Sequence, residues 1–62
     1  MLIAHYTIKG LTFEVIITAI SPDKKQCFIR PSRGTSHEIC VDTSKLNIAG
    51  SQLTTDKLKQ LI

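Results

Sequence analysis

The chain has 62 residues, 42% of them hydrophobic, with a formal net charge of +3 and a sequence pI of about 9.1. This length predicts one domain with a small core, and the hydrophobic content excludes an intrinsically disordered chain. Two cysteines are too few for a disulfide-dense secreted scaffold, and the first residues predict no signal peptide. The longest apolar run, over 15–20, is too short to span a bilayer, so we expect a cytoplasmic protein.

The first two predicted strands, over 2–8 and 11–20, form a hairpin that turns at Lys9-Gly10. With these two residues as the whole turn, cross-strand partners have residue numbers that add up to 19. One face is then apolar or aromatic throughout, from Leu2 opposite Ile17 to the last pair before the turn. Alternation with a period of two predicts that this face is buried, and glycine supplies the positive φ of a tight turn.

Two further strands are predicted, each after a polar loop. The segment 21–25 is rich in turn-forming residues and leads to a third strand over 26–31. A second loop, over 32–36, leads to a fourth strand over 37–42. The result is an antiparallel meander.

The two loops also predict which side chains face the core. A four-residue turn pairs Ala19 with Phe28, and the next loop pairs Phe28 with Ile39. This register adds Phe28, Ile39 and Val41 to the apolar face of the hairpin.

The C-terminal part predicts a fifth strand over 46–48 and a helix over 55–62. Thr54 is a suitable N-cap, and Leu53 and Leu58 are spaced as a hydrophobic staple. The predicted apolar face of the helix consists of Leu58, Leu61 and Ile62.

The order of a strand over 37–42, a tight turn over 43–45 and a short strand over 46–48 resembles that of SH3-like small barrels. The hairpin at Lys9-Gly10 departs from that family, in which the first loop is usually long. The predicted fold class is therefore mainly β: a single domain with an antiparallel meander of four or five strands, barrel-like or curled, and a short C-terminal helix.

The second face of the predicted sheet is also apolar. It carries Ile3, Ile16, Thr18, Ile20, Cys27, Ile29 and Cys40, together with His5, Glu14 and Glu38. Such a face is too apolar for open solvent, so it requires closure of the barrel, cover by the C-terminal segment or another chain. The candidate protein interface on this face consists of Ile3, Ile16, Thr18, Ile20 and Ile29.

The two cysteines are candidates for chemistry, because the predicted register places Cys27 directly opposite Cys40. They could form a cross-strand disulfide or a redox pair, but neither has the basic sequence neighbour that lowers a thiol pKa. We interpret both as small hydrophobic residues in a reducing compartment. A metal site that uses them with His5 and His37 lacks the short ligand spacing typical of zinc, so no metal or cofactor is predicted.

Two further groupings could suggest catalysis. His5 and Glu14 are predicted cross-strand partners, but no nucleophile or oxyanion donor accompanies them. The hydroxyl groups of Ser32, Thr35 and Ser36 lie near His37 in sequence, and a hydroxyl-rich turn explains them without a third catalytic group. We predict that the protein is not an enzyme.

The loop cations give a candidate nucleic-acid surface. Its members are Lys24, Lys25, Arg30, Arg33 and Lys45. Guanidinium groups beside Gly34 can approach phosphate, but Tyr6, Phe13 and Phe28 are predicted to face the core, which argues against base stacking.

From these patterns we expect a small binding or regulatory module that acts through a protein partner or through self-association. The alternative is a basic small barrel that contacts nucleic-acid phosphates through the loop cations.

Overall fold

A computed structural model of the chain describes residues 2–34 and 37–61. Six strands form one antiparallel sheet that curls into a half-barrel, and a short helix follows, so the predicted fold class is confirmed. The strands are β1 (Leu2–Ile8), β2 (Leu11–Ile20), β3 (Gln26–Pro31), β4 (Ile39–Asp42), β5 (Leu46–Ile48) and β6 (Ser51–Gln52). The helix α1 spans Thr55–Leu61, and the strand order is β4-β3-β2-β1-β5-β6. Thr35 and Ser36 of the predicted loop and Ile62 of the predicted helix lie outside the described residues.

The hairpin of β1 and β2 has the predicted register at every pair, from Leu2 opposite Ile17 to Ile8 opposite Leu11. Its turn residues Lys9 and Gly10 have φ angles of 52° and 78°. Positive φ at both positions is the geometry of the two-residue turn that matches the twist of antiparallel strands. The apolar face of the hairpin is the concave side of the sheet.

A β-bulge at Thr18 interrupts the pairing of β2 with β3. Ile17 pairs with Ile29 on one side of it, and Ala19 pairs with Phe28 on the other, as predicted. The extra residue reverses the side-chain alternation, since a bulge sets two residues against one. Ala19 and Phe28 therefore lie on the convex side, and the prediction that Phe28 faces the core is wrong.

The predicted register of β4 is wrong by one residue. Phe28 pairs with Cys40 instead of Ile39, and Cys27 pairs with Val41. Ile39 and Val41 nevertheless face the concave side as predicted, because the bulge and the register shift cancel at this strand. The strand begins at Ile39, two residues later than expected.

The predicted fifth strand is present, and a sixth follows it. A 3-10 turn over Thr43–Lys45 leads into β5, whose Leu46 pairs with Tyr6 of β1. Ala49 and Gly50 form a second tight turn, with φ angles of 54° and 81°. This turn pairs β5 with β6, which is the last strand of the sheet formed by the described residues.

The helix α1 begins as predicted, because the Thr54 hydroxyl accepts a hydrogen bond from the Lys57 amide at 3.1 Å. Leu53 and Leu58 are fully buried, whereas Leu61 is exposed, so the predicted apolar face holds for Leu58 but not for Leu61. The core consists of Ala4, Val15, Ile17, Cys27, Ile29, Val41, Leu46, Leu53 and Leu58. No helix among the described residues is long and apolar enough to cross a bilayer.

Candidate functional site

The concave face of the sheet is open at the end where β1 turns into β2. Strand β2 has ten residues and β3 has six, so β3 pairs with β2 from Ile20 only as far as Val15. The last hydrogen bond runs from the Ser32 amide to the Glu14 carbonyl at 3.2 Å. Residues 7–13, which we call the arm, therefore extend beyond the rest of the sheet.

A groove of about 770 Å³ lies between the arm and the ends of β3 and β4. Val15 and Ile29 are buried and form its floor. Ile8 and Phe13 line it on the side of the arm, and Ile39 lines it on the side of β4. A concave, mainly apolar surface with a few polar groups at its border is the usual form of a binding site.

The arm exposes large apolar side chains. Ile8, Leu11 and Phe13 are 44%, 61% and 47% exposed. On the opposite side of the arm the hydroxyl groups of Thr7 and Thr12 are hydrogen-bonded to each other at 3.0 Å. The arm is thus apolar towards the groove and polar on its convex side, but the prediction that its apolar face is buried is wrong.

The ionisable side chains at the groove are mainly basic. Arg30, Arg33 and His37 line it at the ends of β3 and β4, and Glu14 is the acidic residue among its described lining. Arg30 pairs with Ile16 on the convex side, so it borders the groove at its edge. An apolar floor with a basic border favours a ligand that is both apolar and acidic.

The predicted interface residues are divided between the two faces. Ile3, Ile16 and Thr18 lie on the convex side, where Ile3 is 46% exposed and Ile16 is largely buried. Ile20 and Ile29, predicted on the same face, instead pack on the concave side, because the bulge reverses the alternation. Ile29 is part of the groove floor.

The predicted set of cations forms two groups. Lys24 and Lys25 lie before β3 and Arg33 lies after it, which separates them by about 20 Å, the length of a six-residue strand. The 3-10 turn that contains Lys45 is bonded to the turn between β2 and β3 through Thr43. The Thr43 amide donates to the Lys25 carbonyl, and its hydroxyl donates to the Lys24 carbonyl. Arg30 and Arg33 belong to the groove instead.

Two aromatic side chains are more accessible than predicted. Phe13 faces the concave side but lies beyond the covered core, and Phe28 is 38% exposed on the convex side. Tyr6 is half-buried against the core. The groove therefore offers one exposed aromatic ring among aliphatic side chains.

The cysteines are not brought together. Cys27 is buried in the core and Cys40 is exposed on the convex side of β4, and both are free thiols. Their predicted direct pairing is wrong because the register of β4 differs by one residue. Within the described part of the chain, no group of three or more His, Cys, Asp or Glu side chains lies close enough to hold a metal ion.

His5 and Glu14 are cross-strand partners, as predicted, on the exposed convex side. Asp23 has a pKa below its usual value, because it accepts hydrogen bonds from the Ser21 hydroxyl and then from the Lys25 amide. That carboxylate stabilises the turn between β2 and β3 and lies at the opposite end of β3 from the groove.

Comparison with known proteins finds no matching family model, no similar curated protein and no similar solved structure.

The groove is the main feature that sequence reasoning missed. A usable signal was the length of the predicted strands, since a ten-residue β2 cannot be covered along its whole length by a six-residue neighbour.

Proposed function

We propose that this protein is a small non-enzymatic binding module that acts through protein–protein contacts, with the groove as its binding surface. The observation that carries the proposal is the concentration of exposed apolar side chains there. Ile8, Leu11, Phe13 and Ile39 lie on the arm or in the groove and are each at least 44% exposed. Exposed apolar surface bordered by polar residues is typical of protein interaction sites.

Burial of apolar surface supplies most of the free energy of such contacts. Each Å² of apolar surface removed from water contributes about 25 cal/mol before the cost of association is subtracted. Exposed Phe13 and Ile39 on either side of a preformed floor are suitable anchor residues.

The free thiols of Cys27 and Cys40 support a reducing compartment such as the cytoplasm.

The direct test places a photoreactive amino acid at two matched positions. Phe13 and Phe28 are both exposed aromatic residues, and they lie on opposite sides of the sheet. With p-benzoylphenylalanine in place of Phe13, we expect a discrete protein adduct in cells of the source organism. The same substitution at Phe28 should give none.

The captured protein must then bind the purified chain, and Phe13→Ser must weaken that binding while Phe28→Ser leaves it unchanged. Equal crosslinking at both positions, or none at Phe13, would contradict the proposal. Sedimentation of the protein alone tests self-association, and a dimer that Phe13→Ser dissociates would identify a second copy as the partner.

Nucleic-acid binding is the second candidate, and one observation favours it. Phe13 is an exposed ring in the same groove as Arg30 and Arg33, which is the combination that single strands require. Nucleic-acid binding predicts a mobility shift with single-stranded oligonucleotides, and the affinity should fall steeply as the salt concentration rises. Arg30→Ala with Arg33→Ala should abolish the shift, whereas Lys57→Ala with Lys59→Ala on α1 should not.

A further inference from the structure

We infer that the groove binds an extended, acidic segment of a protein partner by strand addition to β2. The segment has apolar side chains at alternate positions and an acidic residue at the end that meets Arg33. This inference rests on the proposed function and specifies the chemistry of the partner.

The backbone of β2 offers unused hydrogen-bonding groups along the groove. In an antiparallel sheet, successive residues direct their N–H and C=O groups to opposite neighbours. The Glu14 carbonyl bonds to Ser32 on the side of β3, so the N–H and C=O of Thr12, two residues earlier, face the same side. Among residues 2–34 and 37–61, no strand pairs with Thr12 on that side.

The position of Thr12 supports this geometry. Its hydroxyl is on the convex side, bonded to Thr7, yet Thr12 lines the groove, as its backbone would. A segment that lies in line with β3 can therefore pair with Thr12. Strand addition also gives hydrogen-bond partners to the N–H and C=O groups of the bound segment. The apolar side chains of the groove cannot supply such partners.

The alternation of side chains follows from that pairing. Every second residue of an added strand points to the concave side, where Phe13, Val15 and Ile39 line the groove. The residues between them point to the convex side, beside the threonine pair of the arm. Apolar and polar residues should therefore alternate in the partner.

The acidic end is fixed by the chain direction of β3. An occupant in line with β3 begins where β3 leaves the sheet, at Ser32, and Arg33 follows immediately. The planar guanidinium groups of Arg30 and Arg33 can each form two parallel hydrogen bonds with a carboxylate. Glu14 is the acidic residue in the described lining, and its side chain lies on the convex side of β2, opposite His5.

The same observations argue against two other occupants. A second copy of this chain carries a net charge of +3 and would place like charges together. Nucleobases prefer aromatic platforms, whereas the described lining has more aliphatic side chains than six-membered aromatic rings. The aliphatic residues are Ile8, Val15, Ile29, Pro31 and Ile39, and the rings are those of Tyr6 and Phe13.

The experiment selects short random peptides, displayed on phage, against the full-length protein. Clones that still bind the Ile39→Thr variant are removed, so the survivors depend on the groove. We expect alternating apolar residues with Asp or Glu at one end. The consensus peptide is then synthesised with a fluorescent label, and its affinity is measured by anisotropy.

Two altered peptides test the two parts of the inference. Replacement of the acidic residue by Lys should weaken binding roughly tenfold, and N-methylation of the pairing amide should do the same. Amide hydrogen exchange at Thr12 should slow in the complex. The matched protein control is Ile3→Thr, because Ile3 is 46% exposed and Ile39 is 48% exposed. Ile3→Thr should leave the affinity unchanged. Phe13→Ser, which is not used in the selection and lies on the other side of the groove from Ile39, should lower it.

The outcomes separate this inference from the proposed function. Groove-dependent peptides that are basic, or whose apolar residues have helical spacing, would overturn the inference while a protein-binding groove remains. Failure to obtain any groove-dependent peptide would also overturn it, and the crosslink at Phe13 would then decide the proposed function separately. Groove-dependent binding of single-stranded oligonucleotides, with no peptide selected, would overturn both.

Discussion

At the scale of single residues, Thr43 shows how one buried hydroxyl joins two elements. Its hydroxyl donates to the Lys24 carbonyl at 2.8 Å, and the Cys27 sulfur lies 3.5 Å from the Thr43 hydroxyl oxygen. The amide of Thr43 donates to the Lys25 carbonyl at 2.9 Å. The 3-10 turn is thereby fixed to the turn between β2 and β3.

Thr43→Val should lower the free energy of unfolding by about 1–2 kcal/mol, because it leaves the Lys24 carbonyl without its partner. Urea denaturation monitored by circular dichroism measures the change. The control is Thr12→Val, which removes an exposed hydroxyl on a strand and should alter stability by about 0.5 kcal/mol or less. Equal effects of the two variants would show that the buried bond contributes nothing particular.

Asp23 gives a dependence of stability on pH. Its pKa is lowered in the folded state by the Ser21 hydroxyl, the Lys25 amide and the charge of Lys25. The unfolded chain therefore binds a proton more readily, and the contribution of this carboxylate is present above its ordinary pKa of about 3.9. That contribution is lost as the pH falls through the lowered folded value.

We expect the free energy of unfolding of Asp23→Asn to fall less than that of the unmodified protein as the pH is lowered from neutral to below the ordinary aspartate pKa. Urea midpoints measured across this pH range provide the test. Asp56→Asn is the comparison, since it also removes one carboxylate. If Asp23→Asn and the unmodified protein lose stability in parallel on acidification, the hydrogen bonds at this turn do not contribute.

At the scale of elements, the two tight turns contain residues that tolerate positive φ poorly. Lys9 has a φ of 52°, at a position where asparagine is favoured. Lys9→Asn should therefore raise the free energy of unfolding by about 0.5–1 kcal/mol. Gly10→Ala should lower it by about 1 kcal/mol through the backbone alone. Among the described residues, no atom beyond Gly10 and its two chain neighbours lies within 4 Å of an added Cβ.

Thermal and urea unfolding of these two variants measure both changes. A loss of stability in Lys9→Asn would mean that the lysine side chain makes a contribution larger than the conformational cost.

The accuracy of the sequence predictions differs between elements for physical reasons. The register of β1 and β2 follows from a two-residue turn and clean alternation, and every predicted pair is present. The bulge at Thr18 gave no such signal, because the residues around it, Ile-Ile-Thr-Ala-Ile, can face either side. The sequence does not show how many residues between β3 and β4 belong to the loop and how many to the strands. A one-residue error in the register of β4 therefore could not be detected from the pattern alone.

At the scale of the whole molecule, the two thiols report on global unfolding. Cys40 is exposed and Cys27 is completely buried in the core. A maleimide should modify the native protein once, at Cys40, and the denatured protein twice. Mass spectrometry counts the adducts, and Cys40→Ser should leave the native protein unmodified. Rapid modification of Cys27 in native buffer would show that the core opens locally.

The candidate site could be predicted only in part. The alternation of the hairpin predicted that Phe13 and Ile8 share a face, but burial depends on what covers that face. The shorter β3 and β4 and the position of α1 leave one end open, and both depend on the fold as a whole. The bulge also explains why Ile20 and Ile29 were predicted on the wrong face. One extra residue in β2 reverses the side-chain alternation at every position after it.

Thr18 also constrains how this protein can change in evolution. Deletion of this one codon would exchange the inward and outward side chains of either β3 and β4 or the last residues of β2. Phe28 would then compete with Cys27 and Ile29 for the core. Insertions and deletions in related chains should therefore fall in the loop between β3 and β4, and position 18 should keep its place in any alignment.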